Sequence, residues 1–455
     1  MPPLELEIAD VRFYRGCAAA LSEPTALVEV TVRGAAAGGA ADRVRAGLAA
    51  LSPEEPLHGV AESDWPAAFL VERSAGLAEW AVATAIALQR WAHDPVWRGR
   101  VVADEPHRWS LAIPWQRRDI VDGALRLALE LVGQWARPTP DPAALQRLVG
   151  MFRDGLADVR RDGLAPSTMR FIQAAVERGI PFDIAPQFVQ FGWGAAAERM
   201  DAGLTGRTSF LSARTARSKV ATGRTLTDAG LPVASGAVVG DVDRAAKVAE
   251  QLGWPVAVRP ANLGQGLAPG VRDPLTLRRA FDEASRLNPG NVVVERHVEG
   301  SDHRMLVAHE RVLAAVRLGP GDTAEDVTAR VYPDNRLLAQ RAARIIGLDI
   351  AAVDVRSPDI AESWREVDSA VSGVSAQPGL RPFWLADPDR DINGEIIDIL
   401  FAGRSGRIPT AAVTGADGAG ATAMHLSRIW AATGIRTGVC TTSGVRIGDE
   451  ILSTA

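Results

Sequence analysis

Arg259 ends the apolar run PVAVRP at 255–260, and Gly264, Gly266 and Gly270 follow it. A cation at the end of a buried strand, followed by a flexible glycine loop, suits a nucleotide phosphate. Backbone N–H groups can approach the anion there while the guanidinium neutralises it. Glycine-rich loops are common, so the order of the surrounding residues carries more weight. Lys219 opens a helix in SKVATGRTLTDAGLPV, and the only other lysine is Lys247. After Arg259 come Glu295 and Arg304 within VVVERHVEGSDHRMLV, then Arg317 in VLAAVRL, Asp354 in IGLDIAAVDV and the turn AQPG at 376–379.

Three regions position these residues. The first, 1 to about 165, begins with strand-like segments at 4–13 and 26–33. It then turns helical at 75–93 and at 122–135, where apolar residues recur at three- and four-residue steps. Seven of the twelve Trp residues lie before position 140. They read as core and inter-helix packing by large side chains, with a ligand-binding surface as the alternative. From about 166 to 403 strands alternate with helices, which implies α/β or α+β layers. Strands are predicted at 233–240, 255–260 and 291–298, and helices at 275–287 and from the cap Asp241 to Leu252. A third region starts near Gly406 with an apolar strand at 408–414 that runs into a glycine-rich turn and a helix.

The chain has 455 residues, 47% hydrophobic and 23% charged, as a soluble protein of two or three domains would. A net charge of -5 provides no broad positive field for nucleic acid. No apolar run reaches membrane-spanning length, and the N-terminus lacks the charged and apolar regions of a signal peptide. Cys17 and Cys440 lie at opposite ends and fit no metal or disulfide pattern, so a cytoplasmic location is expected.

The succession of motifs resembles the ATP-grasp domain of the cyanophycin synthetases, which polymerise aspartate and arginine with ATP. Ser218-Lys219 stands at that family's first lysine, and Val258-Arg259-Pro260 at its VIKP-like strand. Glu295, Arg296, Gly300, Ser301, Asp302, His303 and Arg304 follow its VERY-x-x-G-S-D-H-R segment almost letter for letter. The resemblance implies that Lys219, Arg259, Gly264 and Gly266 hold ATP phosphates and that Glu295 lies at the adenine hinge. Arg304 and Arg317 would face the acyl phosphate or substrate carboxylate, and Asp354 would anchor Mg²⁺. Such ligases work mainly by positioning and charge neutralisation. Taken singly, the two arginines would read as ion-pair partners; in this order they read as site residues.

The chain departs from the family at three places. The family's Glu-x-Asn-x-x-Pro-Gly element completes its Mg²⁺ site, and Gly373 and Ser375 occupy the carboxylate and amide positions here. One carboxylate with phosphates and water holds a hard cation less firmly. Glu366 and Asp368, several residues out of register, are the candidate substitutes. The interval between Arg317 and Val327 is crossed in GPGDTAEDV, where the family has a glycine-rich lid. Residues 414–422 resemble the P-loop of the family's Mur-ligase-like domain, with Ala419 at the lysine and Gly420 at the hydroxyl. The loop can still turn toward an anion, but it lacks the mobile cation.

The expected organisation is a mixed N-terminal domain over 1–162, an ATP-grasp domain of two α+β lobes over 163–403, and a strand–P-loop–helix segment over 404–455. The expected function is nucleotide or substrate binding with impaired catalysis, in a regulatory role beside an active cyanophycin synthetase paralogue. The alternative is a working ATP-dependent carboxylate–amine ligase with a rebuilt metal site. ATP with weakened or lost Mg²⁺ is the expected cofactor set. Amino acids or an Asp–Arg polymer are the expected ligands, in a homo-oligomer without nucleic acid or membrane.

Overall fold

The computed structural model describes residues 3–16, 18–21, 23–51, 76–161, 163–261, 268–321 and 323–454. The chain divides into two compact units, Met1–Gly406 and Arg407–Ala455.

The first unit begins with an antiparallel sheet in the order β1-β2-β4-β3, built from β1 (Glu5–Tyr14), β2 (Thr25–Arg33), β3 (Arg100–Glu105) and β4 (Arg108–Pro114). Helices α2 (Leu77–Trp91) and α3 (Arg118–Trp135) pack on it, α1 (Ala40–Ala50) packs against these two helices, and α4 (Pro142–Arg161) follows. Strand β2 alternates Ala26, Val28, Val30 and Val32 into the core, the period of two that a half-buried strand requires. Arg43 of α1 donates to the carbonyls of Trp135 and Ala136, groups that the end of α3 leaves without helical partners. Trp80, Trp91, Trp97, Trp109 and Trp135 are buried, as core packing predicts.

Helix α5 (Pro166–Glu177) leads into a meander of β5 (Phe182–Ala185), β6 (Phe188–Phe191), β7 (Glu198–Asp201) and β8 (Leu204–Thr205), which the sequence reading did not foresee. Helices α6 (Phe210–Arg217) and α7 (Lys219–Asp228) follow.

Two sheets then carry the candidate site. The first has the order β11-β10-β12-β9, with β9 (Gly236–Val239), β10 (Val256–Pro260), β11 (Ala268–Val271) and β12 (Val292–Arg296). Its Val256, Val258, Val292 and Val294 face α8 (Val242–Leu252) and α9 (Pro274–Leu287) in one core. Asp241 caps α8 as expected, accepting from the Arg244 N–H at 2.8 Å.

The second sheet has the order β15-β14-β13-β16-β17, with β13 (Ser301–Ala308), β14 (Arg311–Leu318), β15 (Ala324–Asp326), β16 (Ile350–Ser357) and β17 (Ala370–Ser375). One face packs Met305, Ala315, Val353 and Val355 with α10 (Pro333–Ile346). The other packs Leu306, Ala314 and Val316 with α5, α11 (Arg381–Ala386) and α12 (Ile392–Phe401). The GPGDTAEDV interval is the tight β14–β15 hairpin, closed by a 2.8 Å bond from the Gly319 N–H to the Thr323 carbonyl.

The second unit holds α13 (Ala419–Ala432) and the meander β18 (Gly438–Thr441), β19 (Gly444–Ile447) and β20 (Glu450–Thr454). The strand expected at 408–414 does not form; only the turn and helix of that prediction do. A strand needs a neighbour for its N–H and C=O groups. In this unit β18–β20 pair among themselves, and 408–414 stays unpaired among the described residues.

Candidate functional site

Ser218 caps α7, its Oγ accepting from the Ala221 N–H at 3.3 Å, and this cap places Lys219 in the first turn. Burial and the Arg259 guanidinium lower the Lys219 pKa, while Glu295, Asp354 and Asp302 oppose them. The ammonium therefore sits within the field of both sheets. Among the described residues it makes no hydrogen bond or ion pair.

On the first sheet, Ala257 pairs with Glu295 and Arg259 with Val293. Directly paired residues share a face, so Arg259 and Glu295 lie on the side away from the α8–α9 core. The Arg259 Nε and Nη2 donate to the Glu295 carboxylate at 2.9 and 2.8 Å. Arg259 is buried, and its Nη1 has no hydrogen-bond partner among the described residues. Beside it, Gly236 lies where a Cβ would stand 2.7 Å from Glu295 Cβ, so β9 approaches the pair only through a glycine. Gly264 and Gly266 lie outside the described residues.

On the second sheet, Gly300 turns the chain into β13 at φ 109°. A Cβ there would come within 2.1 Å of the Ser357 carbonyl oxygen, which gives the glycine of GSDHR its structural reason. Arg304 lies directly across from Asp354. Its Nε and Nη2 donate to the two Asp354 oxygens at 2.7 and 3.0 Å, a bidentate pair that raises the arginine's pKa against the cost of burial. On the other side of Asp354 stands Gly373, where a Cβ would be 3.6 Å from Asp354 Oδ2. The position expected to carry a carboxylate thus carries no side chain. Ser375 Oγ donates to the Gln377 carbonyl at 2.9 Å.

Arg317 does not join this group. It pairs with His303, whereas Arg304 pairs with Val316, so the two arginines occupy opposite faces of the sheet. Arg317 is half exposed and bound to Glu325, which also receives Arg330 at 3.6 Å. The expectation that Arg317 converges with Arg304 is corrected by one residue. Leu306 pairs with Ala314 but Val307 with Val312, so Leu313 is an extra residue in β14. A one-residue slip exchanges the two faces. Asp368 is held by Arg296 at 2.6 Å, ahead of β17, and Glu366 is exposed. Neither neighbours Asp354 in the strand register.

The donor set fits a polyphosphate: an unpaired ammonium and an orphaned buried guanidinium N–H. It does not fit Mg²⁺, because both oxygens of Asp354 accept from a guanidinium and the adjacent strand position carries no ligand. Among the described residues no three His, Cys, Asp or Glu side chains stand close enough to bind a metal.

Residues 218–306 match the family described as the carbamoyl-phosphate synthase L chain, ATP binding domain. With the mixed antiparallel sheets, this match defines the class: an ATP-grasp, ligase-like α+β protein. More particularly, the chain is a relative of the cyanophycin synthetases. It is 30% identical over 410 residues to the cyanophycin synthetase of Trichormus variabilis, covering 72% of this chain and 45% of that protein. With the enzyme of Geminocystis herdmanii it shares 29% over 451 residues, 81% of this chain and 51% of the other. The chain thus spans about half the length of these relatives. A solved bifunctional glutathione synthetase from Pasteurella multocida aligns at 17% identity and a TM-score of 0.42, over 62% of this chain and 52% of that one. No described helix is long and apolar enough to cross a membrane.

Proposed function

We propose that this protein binds an adenine nucleotide between its two ATP-grasp sheets and turns it over slowly or not at all, serving as a binding or regulatory companion to an active cyanophycin synthetase. The observation that carries this reading is the Arg304–Asp354 pair beside Gly373. A guanidinium neutralises the carboxylate that would otherwise anchor a metal, and the next strand offers no second ligand. Lys219 and the Nη1 of Arg259 supply charge for phosphates, and Glu295 marks the hinge side of the nucleotide.

Each lost electrostatic contact to a developing charge costs on the order of 10²–10³ in rate, so two missing ligands together suppress acyl-phosphate formation by about 10⁴ or more. The β14–β15 hairpin is shorter than the family's lid and would exclude less water, which adds to that loss. We read 1–162, 163–403 and 404–455 as the N-terminal, ATP-grasp and P-loop-like domains of this companion, and expect it to form oligomers with itself or with the active enzyme. In the last domain Ala419 and Gly420 leave the turn before α13 without a phosphate-binding cation. The test is ADP release by the purified protein with Mg²⁺ and with aspartate, arginine or an Asp–Arg peptide. Release at the background rate is expected. Turnover near one per second, an ordinary enzyme rate of about that order, overturns the reading.

A further inference from the structure

Strand β1 is an edge of the first sheet. Strand β2 lies on one side, and among the described residues nothing hydrogen-bonds to the β1 backbone on the other. The strand spans ten residues, Glu5–Tyr14, and contains neither proline nor lysine, two of the devices that close off a sheet edge. Such an edge is a template for another strand.

The register shows which strand fits. Ile8 pairs with Val30 and Asp10 with Glu29, so Ala9 and Asp10 share one position of the ladder as a bulge. The bulge carries Val11 and Phe13 to the same face as Leu6 and Ile8, opposite the buried Val32, Val30, Val28 and Ala26 of β2. All four apolar side chains stay only half-buried at the rim of the core, while Glu5, Glu7, Arg12 and Tyr14 are exposed. With the bulge counted as one position, the strand is symmetric about it. Leu6 and Ile8 flank Glu7 on one side, and Val11 and Phe13 flank Arg12 on the other.

An antiparallel copy of β1, laid along this edge on a two-fold axis through the bulge, therefore matches on both faces. Leu6 meets the second copy's Phe13, Ile8 meets its Val11, and Glu7 meets its Arg12; residues directly opposite share a face. A shift of one position sets apolar side chains against charged ones, and a larger shift leaves one end of the strand unpaired. Within the chain, Glu7 is bound by Arg33 at 3.2 Å, and Arg12 by Asp10 at 3.3 Å and Glu29 at 3.9 Å. The Glu7–Arg33 and Arg12–Asp10 pairs are exposed, so exchanging them costs little. The one like-charge meeting is Asp10 with its symmetry mate at the axis, where each carboxylate has its own Arg12 beside it.

We propose that β1 is a self-association surface, on which two copies of this chain join their β1–β4 sheets into one continuous sheet across a two-fold axis. The surface shares no residue with the nucleotide site and its test needs no nucleotide, so it stands or falls apart from the function proposed above.

The experiment is sedimentation equilibrium of the full chain for the wild type, Glu7→Arg, Arg12→Glu, the double variant, and an equimolar mixture of the two single variants. The wild type is expected to dimerise in the micromolar range. Each single reversal turns both symmetry-related Glu7–Arg12 contacts into repulsions and should weaken the dimer about tenfold or more. The double variant and the mixture both restore the attraction, and should recover the affinity to within about threefold. Amide exchange of wild-type residues 5–14, expected to slow as protein concentration rises, reads the same surface with no substitution. A monomer at every concentration overturns the proposal. So does wild-type association in either single variant, no recovery in the mixture, or β1 amide exchange that does not change with concentration.

Discussion

Replacing Gly373 with glutamate puts a second carboxylate beside Asp354. The new Cβ stands 3.6 Å from Asp354 Oδ2, an ordinary contact, so the Cβ enters without moving the strand. Two unit charges about 5 Å apart repel by roughly 3 kcal/mol at an effective dielectric constant near 20. Arg304 already neutralises Asp354, and both groups of that pair are about a quarter exposed. Solvent and the guanidinium therefore reduce the net cost to roughly 1–2 kcal/mol. At about 2–4 °C per kcal/mol for a domain of this size, Gly373→Glu should melt roughly 2–8 °C below the wild type in EDTA. Magnesium should then restore it, since a cation at tenfold its dissociation constant adds about 1.4 kcal/mol to the folded state. The wild type should show no such response. The assay is thermal melting of both proteins in EDTA and in magnesium chloride at matched ionic strength. Identical magnesium responses in the two proteins would refute the placement of Gly373 beside a vacated metal position.

Burial pushes Asp94 from 3.8 up to about 7, against the bonds from the Gln116 and Arg117 N–H groups and the charge of Arg117, with Asp119 adding repulsion. Burial likewise raises Glu23 to about 7, offset by Arg98 and increased by Asp94. The native state thus holds protons that the unfolded chain loses near pH 4, so stability falls as pH rises from about 4 through 7. Asp94→Asn should flatten that slope and raise the pH 8 stability by about 1–3 kcal/mol, read from urea midpoints between pH 5 and 8; an unchanged slope contradicts the argument. Arg317→Ala removes an exposed ion pair worth about 0–1 kcal/mol and should leave both melting and ATP affinity almost unchanged. Loss of ATP binding in this variant would show that Arg317 reaches the site.

The strands and helices named from the sequence that do form were legible because their patterns are local. Alternating valines mark β2 and β10, and Asp241 marks the start of α8. The unforeseen β5–β8 meander is made of strands of two to four residues, too short for periodicity to register. The strand at 408–414 failed for the opposite reason: its apolar pattern is clear, but pairing depends on a neighbour that the pattern does not contain. At the site, Lys219 feels the charges of Arg259, Glu295 and Asp354, and Asp354 holds Arg304, while their role toward a nucleotide remains the proposal above. Their pairing was not legible. The resemblance implies separate tasks for Arg304 and Asp354, whereas the register of β13 against β16 sets them opposite each other and the guanidinium bonds both carboxylate oxygens. The face of Arg317 was equally hidden. A simple hairpin about His309 and Glu310 sets it on the side of Arg304, and the extra Leu313 moves it to the other.

The central claim, that a guanidinium has taken over the metal's partner while the phosphate donors persist, is tested most directly by titrating ATP into the protein calorimetrically, once in EDTA and once in saturating magnesium. Binding is expected in both, with affinities within about threefold, no ADP formed, and loss of binding on Lys219→Met, because that ammonium, unpaired among the described residues, lies within the field of Arg259, Glu295 and Asp354. Binding that appears only with magnesium, tightening a hundredfold or so (about 2.7 kcal/mol), would contradict it.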